Sequence, residues 1–458
     1  MSDHTRPTGP ANGYTRPAGP TSGQARPAGP ASDECADAGG VWDLLLAGGD
    51  LLDPGGGRSG THDVAVRHGR IAAVAPRLPR QRAAEVVELA GRLVTPGLVD
   101  LHTHVHPGAT YWGIHPDPVA WRSGVTTWVD AGSAGAYGFP AFAAASAGYA
   151  VRVPALLNIS AVGLVARVGE ARELANCDVD LAVATVRAHP GRIVGFKVRM
   201  DRHNVGSNGL DPLRRAVEAA DACGLPVMVH IGAAPPSVAQ LLPLLRPGDI
   251  ITHCASGIAA GADGFHPATT EAYQAGVRFD LGHGSGGFAF DVLESQLAAG
   301  MPPHAVSTDL HGRSLHGPVF DLPTTMVKML AVGMSLPQVV AATTAGPARM
   351  LGLPDGTGTL AVGAPADIAV FRAEPLRHEV VDVHGQRRHA PLRLVNELTY
   401  RAGRPLPPRL PEPVPPWIPL TDTQRAALAR RDRAVRRLLT PPLVGPDGLA
   451  EQFPRHGG

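Results

Sequence analysis

Between residues 97 and 309 the chain repeats one texture. An apolar run of six to eight residues ends in polar or charged groups, and a stretch with helical spacing follows. The runs are GLVDLHTH (97–104), VTTWVDAG (125–132), VPALLNIS (153–160), RIVGFKVR (192–199), LPVMVHIG (225–232), DIITHC (249–254), VRFDLGHG (277–284) and HAVSTD (304–309). Continuous rather than alternating apolar character is what parallel strands buried on both faces require. Eight such units at intervals of roughly 20–40 residues predict a (β/α)8 TIM barrel over 97–355, with its chemistry where the strands end.

The flanking segments read differently. VWDLLLAGGDLLDPGGG and HDVAVRHGRIAAVAP, within 41–96, are short strand-like runs separated by glycine-rich turns, and GTLAVGAPADIAVFRAE, within 356–403, has the same pattern. These two segments are expected to pair into a small β-sandwich beside the barrel, an α/β architecture overall. Residues 1–40 carry three Arg-Pro-x-Gly-Pro units (RPTGP, RPAGP, RPAGP) and too little apolar surface to offset ordering entropy, so they are expected to be a disordered, dispensable tail. Residues 404–458 combine a proline-rich linker, PLPPRLPEPVPPW (405–417), with an arginine-rich helix capped at Thr421 or Asp422. That helix is expected to pack on its own subunit rather than on an acidic partner.

Composition narrows the classes. A net charge of +1 gives no general electrostatic reason to bind nucleic acid or acidic membranes. No run of about 18 apolar residues predicts a membrane span, and the N-terminus lacks the apolar segment of a signal peptide. Cys35, Cys177, Cys223 and Cys254 show no CxxC spacing, so reduced thiols in a cytoplasmic protein are expected.

The polar strand ends carry the candidate chemistry. His102 and His104 lie two residues apart, so a strand turns both imidazoles to one side. His230, His253 and Asp309 end the fifth, sixth and eighth runs. Four histidines and a carboxylate at barrel strand ends make a divalent-metal site, with zinc suited to such ligands and manganese or iron also compatible.

Lys197 stands out because only it and Lys328 are lysines among the 41 Lys and Arg residues. Burial lowers the pKa of an amine, and a neutral amine can add carbon dioxide to become a carbamate with two ligating oxygens. Arginine cannot do this because its guanidinium stays protonated. Arg199 faces the same side as Lys197 and is expected either to clamp a substrate carboxylate or to pair with a loop acid. His283, ending the seventh run, is a candidate substrate contact.

With these residues in place, the phrases PGLVDLHTHVHPG, GVTTWVDAGSAGA, LLNIS, IVGFKVR, DLGHGSGGFAF and STDLHG resemble the binuclear metal-dependent amidohydrolase superfamily. They are most similar to its amidohydrolase/deacetylase branch, near dihydroorotases and D-aminoacylases. The resemblance runs from about Val41 to Glu374. It implies two divalent ions, usually Zn: one held by His102, His104 and Asp309, the other by His230 and His253, with carboxylated Lys197 bridging them. It further implies that Asp309 shuttles the proton while a metal-bridging hydroxide attacks an acyl carbon. The expected substrate is a small acylated acid, either an N-acyl amino acid or an O-acyl 2-hydroxy acid, and a homo-oligomer is expected on the same resemblance. A cyclic amide hydrolase of the dihydroorotase or hydantoinase kind is the alternative. A non-catalytic barrel acting as an assembly partner is a third reading, against which all six ligands speak.

Overall fold

The computed structural model describes residues 41–260, 267–354 and 356–439. The expectations for the 1–40 tail, for Cys35 and for residues 440–458 fall outside them. Seven parallel strands follow one another in a single sheet: Leu98–Thr103, Val125–Gly135, Ala155–Asn158, Ile193–Met200, Val227–Ile231, Ile250–Thr252 and Arg278–Asp280. Helices such as Val179–Ala188, Asp211–Cys223, Phe290–Ala298 and Leu322–Ala331 lie between or after them.

Side-chain alternation explains how one strand serves two layers. In Ile193–Met200, Phe196, Val198 and Met200 pack into the large apolar layer shared with the helices, while Lys197 and Arg199 line the cavity. In Val227–Ile231, Val227, Val229 and Ile231 join the helix layer. Met228 joins Val99, Leu101, Val129, Leu156 and Ile250 in a second cluster, and His230 lines the cavity.

The eighth apolar run is not a regular strand. Residues 304–310 close the barrel through isolated parallel bridges, Asp280 to Ala305 and Thr103 to Leu310. The His104 N–H donates to Leu310 O at 2.9 Å. Hydroxyls in this segment hold buried acids on the strands either side. Ser307 donates to Asp280 (2.8 Å) and Thr308 to Asp100 (2.6 Å), and the Thr308 backbone N–H also donates to Asp100 (3.0 Å). Asp309 then takes a left-handed backbone, φ +47°, which ends the extended conformation.

The two flanking segments form one continuous eight-stranded sheet, joined where Leu93–Pro96 pairs antiparallel with Ile368–Val381. Leu44 and Leu46 pack with Val64, Val94, Ile368 and Tyr400, whereas Leu45 and Ala47 face Ala65 and Ala73 in another cluster. The helix Asp422–Leu439 packs on its own chain: Gln424 donates to Gly317 O (3.0 Å), and Val435 is buried. No helix among the described residues is long and apolar enough to cross a membrane. Cys177, Cys223 and Cys254 are free thiols.

Thr308 offers a direct check on barrel closure. Thr308→Val removes one of the donors to the buried Asp100 carboxyl and is expected to cost about 1–3 kcal/mol in urea unfolding. An unchanged midpoint would contradict the closure described here.

Candidate metal centre

The polar strand ends converge on the floor of a cavity of about 320 Å³. His102, His104 and Asp309 can each offer one ligand atom, and these atoms lie within 4.8 Å of one another. Asp309 Oδ1 is 3.1 Å from His104 Nε2 and 3.4 Å from His102 Nε2. Lys197 Nζ lies 3.2 Å from His102 Nε2 and 3.3 Å from Met228 Sδ. His253 Nε2 approaches His230 Nδ1 to 2.8 Å.

Outward hydrogen bonds fix which nitrogen of each ring faces inward. Thr252 Oγ1 commits its proton to Asp280 (2.7 Å), so it accepts from His102 Nδ1 at 2.8 Å and leaves the His102 Nε2 lone pair free. His253 Nδ1 donates to Gly282 O, and His230 Nε2 lies 3.3 Å from the Asp201 carboxylate. With their protons on the outer side, the inward nitrogens of His230 and His253 meet lone pair to lone pair. Two acceptors at 2.8 Å repel unless a cation sits beside them, and carboxylate or carbonyl partners on the outer nitrogen are typical of ligating histidines. His104 Nδ1 is 3.0 Å from Ser133 Oγ. Ser133 is placed by Asp130, which also accepts from the Val105 N–H after the first strand.

Burial sets the charge states. It lowers His102 well below the ordinary histidine range, with the nearby Lys197 adding to the effect. It lowers His253 to about 3, with His230 contributing. Burial alone would raise the Asp309 carboxyl, but the surrounding histidines hold it well below the usual carboxylate range. Lys197, 1% exposed, is lowered by burial from its ordinary 10.5 to about 7. Neutral imidazoles, a carboxylate and an amine near neutrality therefore share one floor.

Backbone conformation is tuned to this floor. His253 (φ +66°) and Asp309 (φ +47°) are both left-handed non-glycine residues; such strain costs about 1–3 kcal/mol each and clusters at functional sites. Gly132 (φ +80°) leaves room for Lys197, since a Cβ there would lie 2.6 Å from the lysine Cβ. Gly284 does the same for the Asp309 carboxylate.

Of the two candidate substrate contacts, Arg199 meets the other partner expected for it, a loop acid. The Arg199 fork is occupied: Nε and Nη2 each donate to Glu170 at 2.6 Å. Arg199 lines the cavity, but its bidentate face belongs to the loop acid. His283 requires a correction. It is fully buried, packs against Phe288, receives Lys328 Nζ at 2.7 Å on Nε2, and does not line the cavity. Lys328, itself 1% exposed, also donates to Pro318 O at 2.9 Å, so ring and amine form one buried group away from the cavity.

Sequence reasoning also left out His311, Arg313 and Asp201, which line the cavity, and Asp280, whose buried Oδ1 has no partner. Of these, His311 had a signal in the STDLHG phrase, two residues past Asp309.

Comparison with known proteins agrees with this architecture. The profile of the amidohydrolase family matches residues 327–407. A deacetylase of Agrobacterium fabrum (strain C58 / ATCC 33970) is 38% identical over 343 residues, covering 72% of this chain and 83% of that protein. Among solved structures, an adenine deaminase superposes with a TM-score of 0.74 at 32% identity, covering 80% of this chain and 99% of that one. A dihydroorotase gives 0.74 at 35% identity, covering 79% and 97%. The chain belongs to the amidohydrolase family: it is a TIM-barrel hydrolase acting on amide or ester bonds.

The lowered pKa of Lys197 predicts a pH dependence. Because the folded pKa of Lys197 is lowered, the unfolded chain binds the extra proton between about 7 and 10.5. Stability should rise across that window by up to about 1.4 kcal/mol per pH unit and level off below it. Urea unfolding of the metal-free protein in carbon dioxide-free buffer, against Lys197→Met, isolates this slope; identical slopes would contradict a buried neutral amine.

Proposed function

We propose that the protein is a metal-dependent deacylase that removes an acyl group, acetyl in the simplest case, from a small carboxylate-bearing substrate. The observation that carries this reading is the inward convergence of the ring nitrogens of His102, His104, His230 and His253 beside Asp309. Such a floor is unfavourable for an empty protein and fits two divalent cations, zinc by ligand type. His102, His104 and Asp309 would hold one ion, and His230 and His253 the other. Lys197, as a carbamate formed from its neutral amine and carbon dioxide, would bridge them.

Bound divalent ions make water a nucleophile near neutral pH and polarise an acyl carbonyl. The chain's own residues do the rest. Asp309, ionised in the resting protein, accepts the proton of the attacking water and returns it to the departing amine or alcohol. Thr252 and Asp280 hold His102 in its Nδ1–H form, and Asp201 does the equivalent for His230. The apolar cluster beneath the floor keeps Lys197 desolvated and therefore reactive. The deacetylase relative at 38% identity supports acyl removal over ring opening.

The deciding assay uses metal-loaded protein with N-acetyl amino acids and O-acetyl 2-hydroxy acids, set against dihydroorotate and hydantoins. Turnover of the acyl acids is expected. Rapid opening of the cyclic amides with no acyl-acid turnover would replace this reading with a cyclic amide hydrolase.

Two substitutions test the roles. Asp309→Asn should lower kcat about 10²–10⁴-fold, the usual contribution of a positioned acid–base. Lys197→Arg should lose bound metal and activity together, whereas Lys197→Ala should regain part of both on addition of a short carboxylic acid. Full metal content in Lys197→Arg, by elemental analysis, would remove the bridge from the account.

A further inference from the structure

The cavity wall holds a second arginine whose chemistry is uncommitted. Arg313 lies in the loop after the eighth barrel segment, half-buried, and lines the same cavity as the candidate ligands. Among the described residues no hydrogen bond or ion pair engages its guanidinium. Arg199 offers no such fork, because Glu170 already takes two of its donors. Arg167 also lines the cavity, but as an exposed rim residue where water screens its charge.

Beside Arg313 stands a second donor of fixed orientation. The backbone N–H groups of Arg313 (3.2 Å) and Ser314 (3.4 Å) both approach His311 Nδ1 as donors. A neutral His311 therefore carries its proton on Nε2 and donates it to Ser285 Oγ, another lining residue, at 3.2 Å, a bond that a substrate carboxylate would share or replace. A guanidinium and an imidazole N–H on one loop, next to the metal floor, match a carboxylate attached close to a scissile acyl bond.

The C-terminal segment holds this loop. Trp417 Nε1 donates to Tyr111 O (3.0 Å), and the Tyr111 hydroxyl donates back to Trp417 O (3.1 Å). Tyr111 packs edge-on against Trp112, and Trp112 against His311, each with ring centres 4.7 Å apart. Gln424 bonds Gly317 O at the far end of the loop (3.0 Å), and Arg431 reaches Leu315 O (3.4 Å).

We propose that Arg313, flanked by the Nε2–H of His311, binds the substrate carboxylate and sets the enzyme's preference for acids, and that the C-terminal segment carrying Trp417 and Gln424 positions this loop. The inference rests on the deacylase reading above and adds the group that selects the acid.

The test compares an N-acetyl amino acid with its primary amide, using the full-length, metal-loaded protein. The wild type should prefer the acid. Arg313→Met should lose about 10–100-fold in kcat/KM on the acid, mainly through KM, and little on the amide, so that the preference collapses. Equal losses on both substrates, or a preserved preference, would overturn the assignment; a collapse in Arg199→Met with none in Arg313→Met would move the clamp to Arg199. Trp417→Ala should raise KM for the acid with metal content and kcat retained. Unchanged KM, or loss of metal, would overturn the positioning role.

If the wild type turns over neither substrate, the deacylase reading fails, and calorimetry with lactate and lactamide still decides the clamp. Preference for lactate, abolished in Arg313→Met, supports it. No preference in the wild type refutes it.

Discussion

The structure depends on keeping several basic nitrogens unprotonated in one buried place. His102, His230 and His253 each direct a lone pair inward, and Lys197 lies within 3.2 Å of His102. In a low-dielectric interior, protonating any one of them sets a positive charge beside the rest, and burial disfavours it further. The protons are therefore tied off outward, to Thr252, Asp201 and Gly282 O. A set of donors arranged in this way is poor packing for a metal-free protein and good coordination chemistry for a loaded one.

Much of the surrounding fold can be read as meeting that requirement. Asp100 and Asp280, lifted by burial to about 7 and about 6, are held by hydroxyls of the closing segment. They trade a regular eighth strand for side-chain hydrogen bonds that link the first and seventh strands to it. The left-handed conformations of His253 and Asp309 and the glycines at 132 and 284 accept strain or forgo side chains where Lys197 and Asp309 need room. Local sequence rules are broken where function gathers, as expected when a site is strained and its scaffold compensates.

The barrel and the floor of the site were legible in the chain because parallel strands buried on both faces leave a strong apolar signature. Any polar residue ending such a run is conspicuous. Lys197 was legible for a compositional reason, a lysine kept in a chain that otherwise uses arginine. The eighth run reads as a strand because HAVSTD has the right apolar start; its side-chain bonds reach Asp280, 27 positions away, and Asp100, 208 positions away. Arg199 lines the cavity and His283 does not; their partners, Glu170 and Lys328, lie in a loop and a helix that strand alternation cannot orient. His311 and Arg313 were missed for the same reason: loop residues acquire a direction only from the contacts that hold them, here from a C-terminal segment about 100 residues downstream.

The proposed chemistry turns on two cations bridged by a carboxylated Lys197. Anomalous diffraction from crystals grown with zinc and bicarbonate tests it most directly. Two peaks are expected, one bounded by His102, His104 and Asp309 and the other by His230 and His253, with added density on Lys197 Nζ reaching both. A single peak, or two peaks with a bare lysine amine between them, would contradict it.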